Sequence, residues 1–203
     1  MKAVKTLLLV AVFGFVATAA SAQISAGTMF ISGDASFSSE KFEPTGGSEE
    51  TFTSGLIGPR FGYFVSDNLA VGVRVGFGGS KFEEEGFEFQ STAFEVGVFG
   101  RYYNMFNDNF GLFGELGVGI VSSTDEEDGT EVGKSNGIDA GLGLGFTFFP
   151  STRFALEGSA GLVGFTSLTN EDPDGNELSK ESGFNIGVGN TAITLSASWY
   201  FNR

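Results

Sequence analysis

Residues 69–78 read Leu69-Ala70-Val71-Gly72-Val73-Arg74-Val75-Gly76-Phe77-Gly78. A bulky apolar side chain alternates with alanine, glycine or arginine at every second position. A period of two predicts a strand, with Leu69, Val71, Val73, Val75 and Phe77 on one face. Arg74 shares the other face with small residues. In a soluble β-protein the apolar face would turn inward and leave glycine and single charges for solvent. In a barrel held in lipid the apolar face turns outward, and the small, polar face fills a narrow tube. Which face is outside therefore decides the fold.

The same pattern recurs along the chain and predicts eight strands, at about 28–38, 52–65, 69–80, 91–103, 110–122, 136–149, 153–168 and 183–202. The charges inside them give the test. Asp34 lies opposite Met29, Ile31 and Phe37, and Arg60 opposite Ile57, Phe61, Tyr63 and Val65. Arg74 opposes its valines; Glu95 and Arg101 oppose Phe94, Val96, Val98 and Tyr102. Glu115 faces away from Leu112, Leu116, Val118 and Ile120, and Asp139 from Ile138, Leu142, Leu144, Phe146 and Phe148. In the seventh strand Arg153 and Glu157 oppose Phe154, Leu156, Ala160 and Leu162. All nine charges share a face with glycine and avoid the apolar one. Nine charges in a soluble core would each lose hydration and need a partner, at high cost. A polar lumen accommodates them. The eighth strand changes parity, with Phe184, Ile186 and Val188 on one and Ile193, Leu195, Ala197, Trp199 and Phe201 on the other, so a bulge or bend is expected near 189–192.

The connections alternate in kind. Ser66-Asp67-Asn68, residues 104–109 and Pro150-Ser151-Thr152 are short, whereas 39–51, 81–90, 123–135 and 169–182 are longer, acidic and carry one lysine each. Short turns at one end and long loops at the other fit a meander of hairpins through a bilayer. Aromatic residues crowd both ends: Tyr63, Phe64, Tyr102, Tyr103, Phe148, Phe149, Trp199 and Tyr200 near the short turns, and Phe37, Phe52, Phe77, Phe94, Phe165 and Phe184 near the loops. They are expected to form two interfacial girdles.

Composition agrees. Lys2 and Lys5, the apolar run Leu7–Ala17 and Ala20-Ser21-Ala22 have the order of a secretory signal peptide, so residues 1–22 are expected to be cleaved and 23–203 to form one barrel domain. No cysteine is present for a disulfide, and no histidine for general-base or Ser-His chemistry. A formal charge of −14 excludes nucleic-acid binding by phosphate neutralisation. No enzymatic activity is expected.

The signal segment, Gly62-Tyr63-Phe64-Val65-Ser66-Asp67-Asn68-Leu69-Ala70, Leu112-Phe113-Gly114-Glu115-Leu116-Gly117 and the ending Ser198-Trp199-Tyr200-Phe201 resemble small outer-membrane β-barrel proteins of the Omp-type superfamily, similar to those of Bacteroidota-like Gram-negative bacteria. The resemblance covers the mature chain. It implies an all-β, eight-stranded antiparallel up-and-down transmembrane barrel in the cell outer membrane, surrounded by its lipids and acting as a monomer. It also implies insertion by the barrel-assembly machinery through the C-terminal strand. Here that strand ends Phe201-Asn202-Arg203 instead of on the aromatic itself.

The candidate site is a lumen charge network of Asp34, Arg60, Arg74, Glu95, Arg101, Glu115, Asp139, Arg153 and Glu157. Arg60 and Arg74 lie symmetrically about Asp67 and should sit side by side, with Glu115 and Glu157 neutralising them at mid-lumen and Asp34 as a further acid. The expected function is a barrel with a side-chain-filled lumen and acidic extracellular loops in a structural or surface-interaction role. The alternative is a narrow porin-like channel for ions or small solutes. No cofactor or metal is expected. Asn170 to Glu181 has the spacing of a calcium loop, but Pro173-Asp174-Gly175 reads better as a hairpin tip.

Overall fold

A computed structural model describes residues 24–43, 48–187 and 194–203. The predicted signal segment and the predicted bend near 189–192 lie outside the described residues.

The chain forms one antiparallel sheet that closes on itself. Its strands are β1 (Met29–Phe42), β2 (Glu50–Ser66), β3 (Leu69–Glu84), β4 (Phe87–Met105), β5 (Phe110–Glu127), β6 (Thr130–Phe148), β7 (Phe154–Glu171), β8 (Glu177–Ile186) and β9 (Thr194–Phe201). Consecutive strands from β1 to β7 pair in order. The eighth place in the ring is shared. β9 lies beside Phe154–Ser159 of β7 and β8 beside Val163–Glu171, while β9 closes the ring on Met29–Asp34 of β1. The fold is the expected eight-membered, up-and-down ring.

The apolar face is outside. Val71, Val73 and Phe77 of the decisive segment are 44–54% exposed, while Ala70 is fully buried. Ile57, Phe61, Leu116, Val118, Ile120, Ile138, Leu156, Leu195 and Trp199 are likewise exposed. Among the described residues no helix is long and apolar enough to cross a membrane.

The structure corrects three expectations. First, the acidic segments 81–90, 123–135 and 169–182 are ordered hairpins and not long loops. Strands run through them, because Lys81-Phe82-Glu83 and Phe87-Glu88-Phe89 keep the period of two and the turns are tight. Asp128 and Gly129, at φ 49° and 75°, supply the two left-handed residues that a type I′ turn requires. Their lysines bridge the acids, Lys41 to Glu43 and Glu49, and Lys81 to Glu83 and Glu88. Secondly, the register of β6 on β7 slips between Leu142 and Gly143. Leu162 is a bulge, so Val163 and Phe165 take over the outward parity that Leu162 was expected to keep. Thirdly, Phe64, Tyr103, Phe149 and Tyr200 are fully buried inside the ring and belong to no girdle.

Candidate functional site: the plugged lumen

Eight of the nine predicted charges face the interior. Arg60 and Arg74 are direct register partners across β2 and β3, as their symmetry about Asp67 requires. They nevertheless turn to different partners. The Arg60 Nη1 lies 3.0 Å from Glu115 Oε1 on the far wall, and its Nε lies 3.5 Å from Asp34. Arg74 bridges Glu95 at 2.8 Å and also Asp139 of β6. Two guanidinium groups held side by side are thus each neutralised by two acids.

Arg101 is the centre of the lower group. Its guanidinium donates to Glu115 at 2.7 Å, to Glu157 at 2.7 Å and to the Tyr103 hydroxyl at 2.9 Å. It is only 2% exposed. Phe113 lies 4.1 Å from it, and Phe99, Phe30 and Tyr103 complete an aromatic cage at 5.6–5.7 Å. Cation–π contacts shielded from water contribute about 2 kcal/mol. Glu157 is buried as deeply and accepts from the Tyr200 hydroxyl at 3.0 Å, with Tyr103 and Thr147 at 3.4 Å. Tyr103 and Tyr200 meet at 2.9 Å, which joins the two hydroxyls to the same carboxylate. A buried ion pair is costly unless its remaining donors and acceptors are filled, and here the tyrosines and Thr147 fill them.

Aromatic rings close the tube below this group. Phe30 stacks on Tyr200 at 5.2 Å, Phe149 meets Tyr200 edge-on at 4.9 Å, and Phe64 packs on Tyr103 at 5.4 Å. Glycine makes the room: a Cβ on Gly62 would overlap the Phe30 ring, and one on Gly72 the Phe99 ring and the Phe61 carbonyl. Ile24 seals the short-turn mouth. It is fully buried, with its N–H donating to Asn68 Oδ1 and its carbonyl accepting from the Asn68 N–H.

The upper half differs. Above Arg74, Glu95 and Asp139 the inward positions are mostly small: Gly76, Gly78, Ser80, Ser91, Ala93, Ser123, Ser135 and Gly137. No side chain of that half is buried among the described residues.

Arg153 is a correction. It precedes β7, in the short turn, and is exposed. Its backbone carbonyl takes the Tyr200 N–H, but its side chain joins no charge group among the described residues. The expectation of one network built on Arg60, Arg74, Glu115 and Glu157 is also revised. Arg101 links Glu115 to Glu157, and Arg74 belongs to the separate upper group. The missed participants are Phe30, Phe64, Phe149, Tyr200 and Ile24. Parity alone identifies four of them: Phe30 alternates with Met29 and Ile31, Phe64 with Tyr63 and Val65, Phe149 with Phe148, and Tyr200 with Trp199 and Phe201.

The residues with calcium-loop spacing close a turn. Asp172 accepts the Asn176 N–H at 2.8 Å, and Asn170 donates to Ser179 and Glu181. Among the described residues no three acidic side chains are grouped to hold a metal.

Residues 8–201 match the family model described as outer membrane protein beta-barrel domain. No curated protein matches the chain. Similar solved structures include the outer membrane protein OprG from Pseudomonas aeruginosa, at 16% identity and TM-score 0.48, covering 88% of this chain and 98% of that one. A major outer membrane protein from Thermus thermophilus shows 14% identity and TM-score 0.48, over 87% and 100% of the two chains. Neisserial surface protein A shows 13% identity and TM-score 0.46, over 86% and 99%.

Proposed function

Because the chain belongs to the outer membrane protein β-barrel family and resides in the outer membrane, we propose that it is a non-conducting barrel with a structural or surface-interaction role, presenting ordered acidic hairpins to the exterior. The observation that carries this reading is Arg101: 2% exposed, caged by four aromatic rings and bonded to acids on two other strands. Solute passing the lumen would have to displace it together with Phe30, Phe64, Phe149 and Tyr200. The role is not enzymatic and the barrel acts as a monomer. Its C-terminal strand is the segment offered to the barrel-assembly machinery.

The hairpins support a surface role through their order and charge. Asp128, at one tip, accepts the Glu88 N–H of the neighbouring hairpin at 3.0 Å and returns its own N–H to the Glu88 carbonyl. Two acidic projections are thereby tied into one surface. A narrow ion path is the competing reading. It is favoured by Arg74 Nε and Asp139 Oδ1, buried polar atoms without a hydrogen-bond partner among the described residues that water in the lumen would satisfy. Liposome swelling with small sugars and amino acids tests the choice. Protein-containing vesicles should swell no faster than empty ones, and rapid swelling would favour the channel.

A further inference from the structure

Towards the hairpin tips the polarity of the wall reverses. Up to Phe77 and Phe94, register partners whose rings meet at 5.1 Å, the outward side of β3 and β4 is mostly apolar. Beyond that pair the outward positions include Lys81, Glu83 and Glu88, and Lys81 bridges both glutamates. Phe82 and Phe89 lie on the opposite parity, the one they share with Arg74 and Glu95, and so face inward. They belong to one row of register partners that crosses five strands: Glu40, Phe52, Phe82, Phe89 and Glu127. Phe52 thus lines the mouth of the lumen and does not join the girdle predicted for it.

Two features of this row point to a ligand. The first is that its rings are open. Phe52 is 44% exposed. Among the described residues neither Phe52 nor Phe89 meets another ring, and Phe82 meets only Phe87, edge-on at 6.4 Å. Rings that served only to hold the sheet would pair across the strands. The second is that charge is sorted across the wall. The four lysines after residue 23, at 41, 81, 134 and 180, all take outward positions, and each bridges an acid. Glu40 and Glu127 close the two ends of the row, and Asp125 stands one step below it opposite Ser91. These three have no ion pair among the described residues. The inner face of the mouth above Arg74 is therefore aromatic and anionic, with no cation of its own. Adjacent strands lie about 4.8 Å apart, so the three rings span about 10 Å, the size of one small molecule.

We propose that this mouth binds a small organic cation with apolar substituents, of the quaternary ammonium class, held against the phenylalanine rings and the flanking carboxylates. The negative face of an aromatic ring attracts a cation, and phenylalanine offers no hydrogen bond, which favours an alkylated cation over a bare ammonium. An anion would meet acids alone. A neutral apolar molecule would gain nothing from Glu40 and Glu127. The site lies above the plug and is independent of whether the lumen conducts.

The folded protein in dodecyl maltoside micelles, which carry no charge, is titrated with three compounds that share a benzyl group: benzyltrimethylammonium, N-benzylacetamide and phenylmethanesulfonate. Ligand-observed NMR reads the affinities. The cation should bind about fivefold more tightly than the amide, the scale of an exposed cation–π contact, and the sulfonate most weakly. Phe82→Leu, or Phe52→Leu, keeps apolar bulk without the aromatic face and should weaken the cation about threefold while sparing the amide. Glu40→Gln with Glu127→Gln should weaken it by a similar factor. Glu83→Gln with Glu88→Gln removes the same charge from the outer face and should leave binding unchanged. Heat-modifiable gel migration confirms that each variant is folded. Equal affinity for the three compounds would overturn the proposal, as would an unchanged cation affinity in both folded leucine variants. A loss as large from the outer pair as from the inner pair would also overturn it, reducing the site to diffuse acidity.

Discussion

The short-turn and hairpin-tip halves of this barrel share the same strands and the same parity rule, yet they are filled differently. In the lower half every inward position that could stay empty is occupied. Arg101, Glu157, Tyr103 and Tyr200 exchange hydrogen bonds inside a ring of phenylalanines, and Ile24 covers the mouth. In the upper half many inward positions are glycine, serine or alanine, beside larger ones such as Leu56 and Val121, and Arg74 pairs with its two acids at the base of that half. Length of side chain, rather than polarity, separates the halves. A lumen face made of the same residue classes can be a plug or a recess according to where its few large members fall.

The largest test of that contrast removes a buried acid. Glu157→Ala removes one of the two acids bonded to Arg101 and the acceptor of the Tyr200 hydroxyl, and breaking a buried pair costs about 3–5 kcal/mol. Urea unfolding in phosphatidylcholine vesicles should show a loss of that size. A loss under about 1 kcal/mol, the scale of an exposed pair, would mean that water replaces the carboxylate and the plug is not dry.

A glycine pair sharpens the comparison at smaller magnitude. Gly72 faces the plug, where an added methyl meets the Phe99 ring and the Phe61 carbonyl, while Gly100 faces outward with nothing within 4 Å. Gly72→Ala should cost about 1–3 kcal/mol through overpacking, and Gly100→Ala should be neutral within about 0.5 kcal/mol, both read from the same unfolding curves. Equal effects would show that the lower lumen has room to spare.

Arg74 probes the upper layer. Its guanidinium is partly exposed, so Arg74→Ala should fall between the surface and buried cases, at about 1–2 kcal/mol. The order Glu157→Ala above Arg74→Ala is the prediction, and its reversal would move the structural centre upward.

The smallest effect is at the β7–β8 tip. Hydrogen bonds from the Asn176 side chain and backbone hold the Asp172 carboxyl below the usual carboxylate value of 3.8. A depressed acid contributes order that is present above its unfolded pKa and lost as pH falls through its folded one. The Asn176 amide resonance in NMR spectra should therefore hold its position from neutral pH down to about pH 4 and move only in more acidic solution. Movement centred above about pH 4, the ordinary aspartate range, would contradict the turn geometry. Asp172→Asn should remove the titration.

Much of this was legible in the sequence. Parity placed Asp34, Arg60, Arg74, Glu95, Arg101, Glu115, Asp139 and Glu157 on one face, because a strand cannot turn a side chain through its own sheet. The adjacency of Arg60 and Arg74 followed from a short turn whose midpoint was known. The partners did not follow. Whether Arg74 meets Glu157 or Asp139 depends on strand tilt and stagger, which a list of strands does not contain. Nearness to the turns suggests a girdle position for Phe64, Phe149 and Tyr200, whereas their own parity points inward. Acidic composition suggests loops where the alternation and the Asp128-Gly129 turn specify ordered hairpins.

The closed lower lumen is tested most directly by electrical recording across planar bilayers. The unaltered protein should give no stable single-channel steps, and the double substitution Tyr103→Ala with Tyr200→Ala, which removes two of the plug's largest rings, should create them. Stable steps from the unaltered protein, altered in size by Glu115→Gln, would contradict the account.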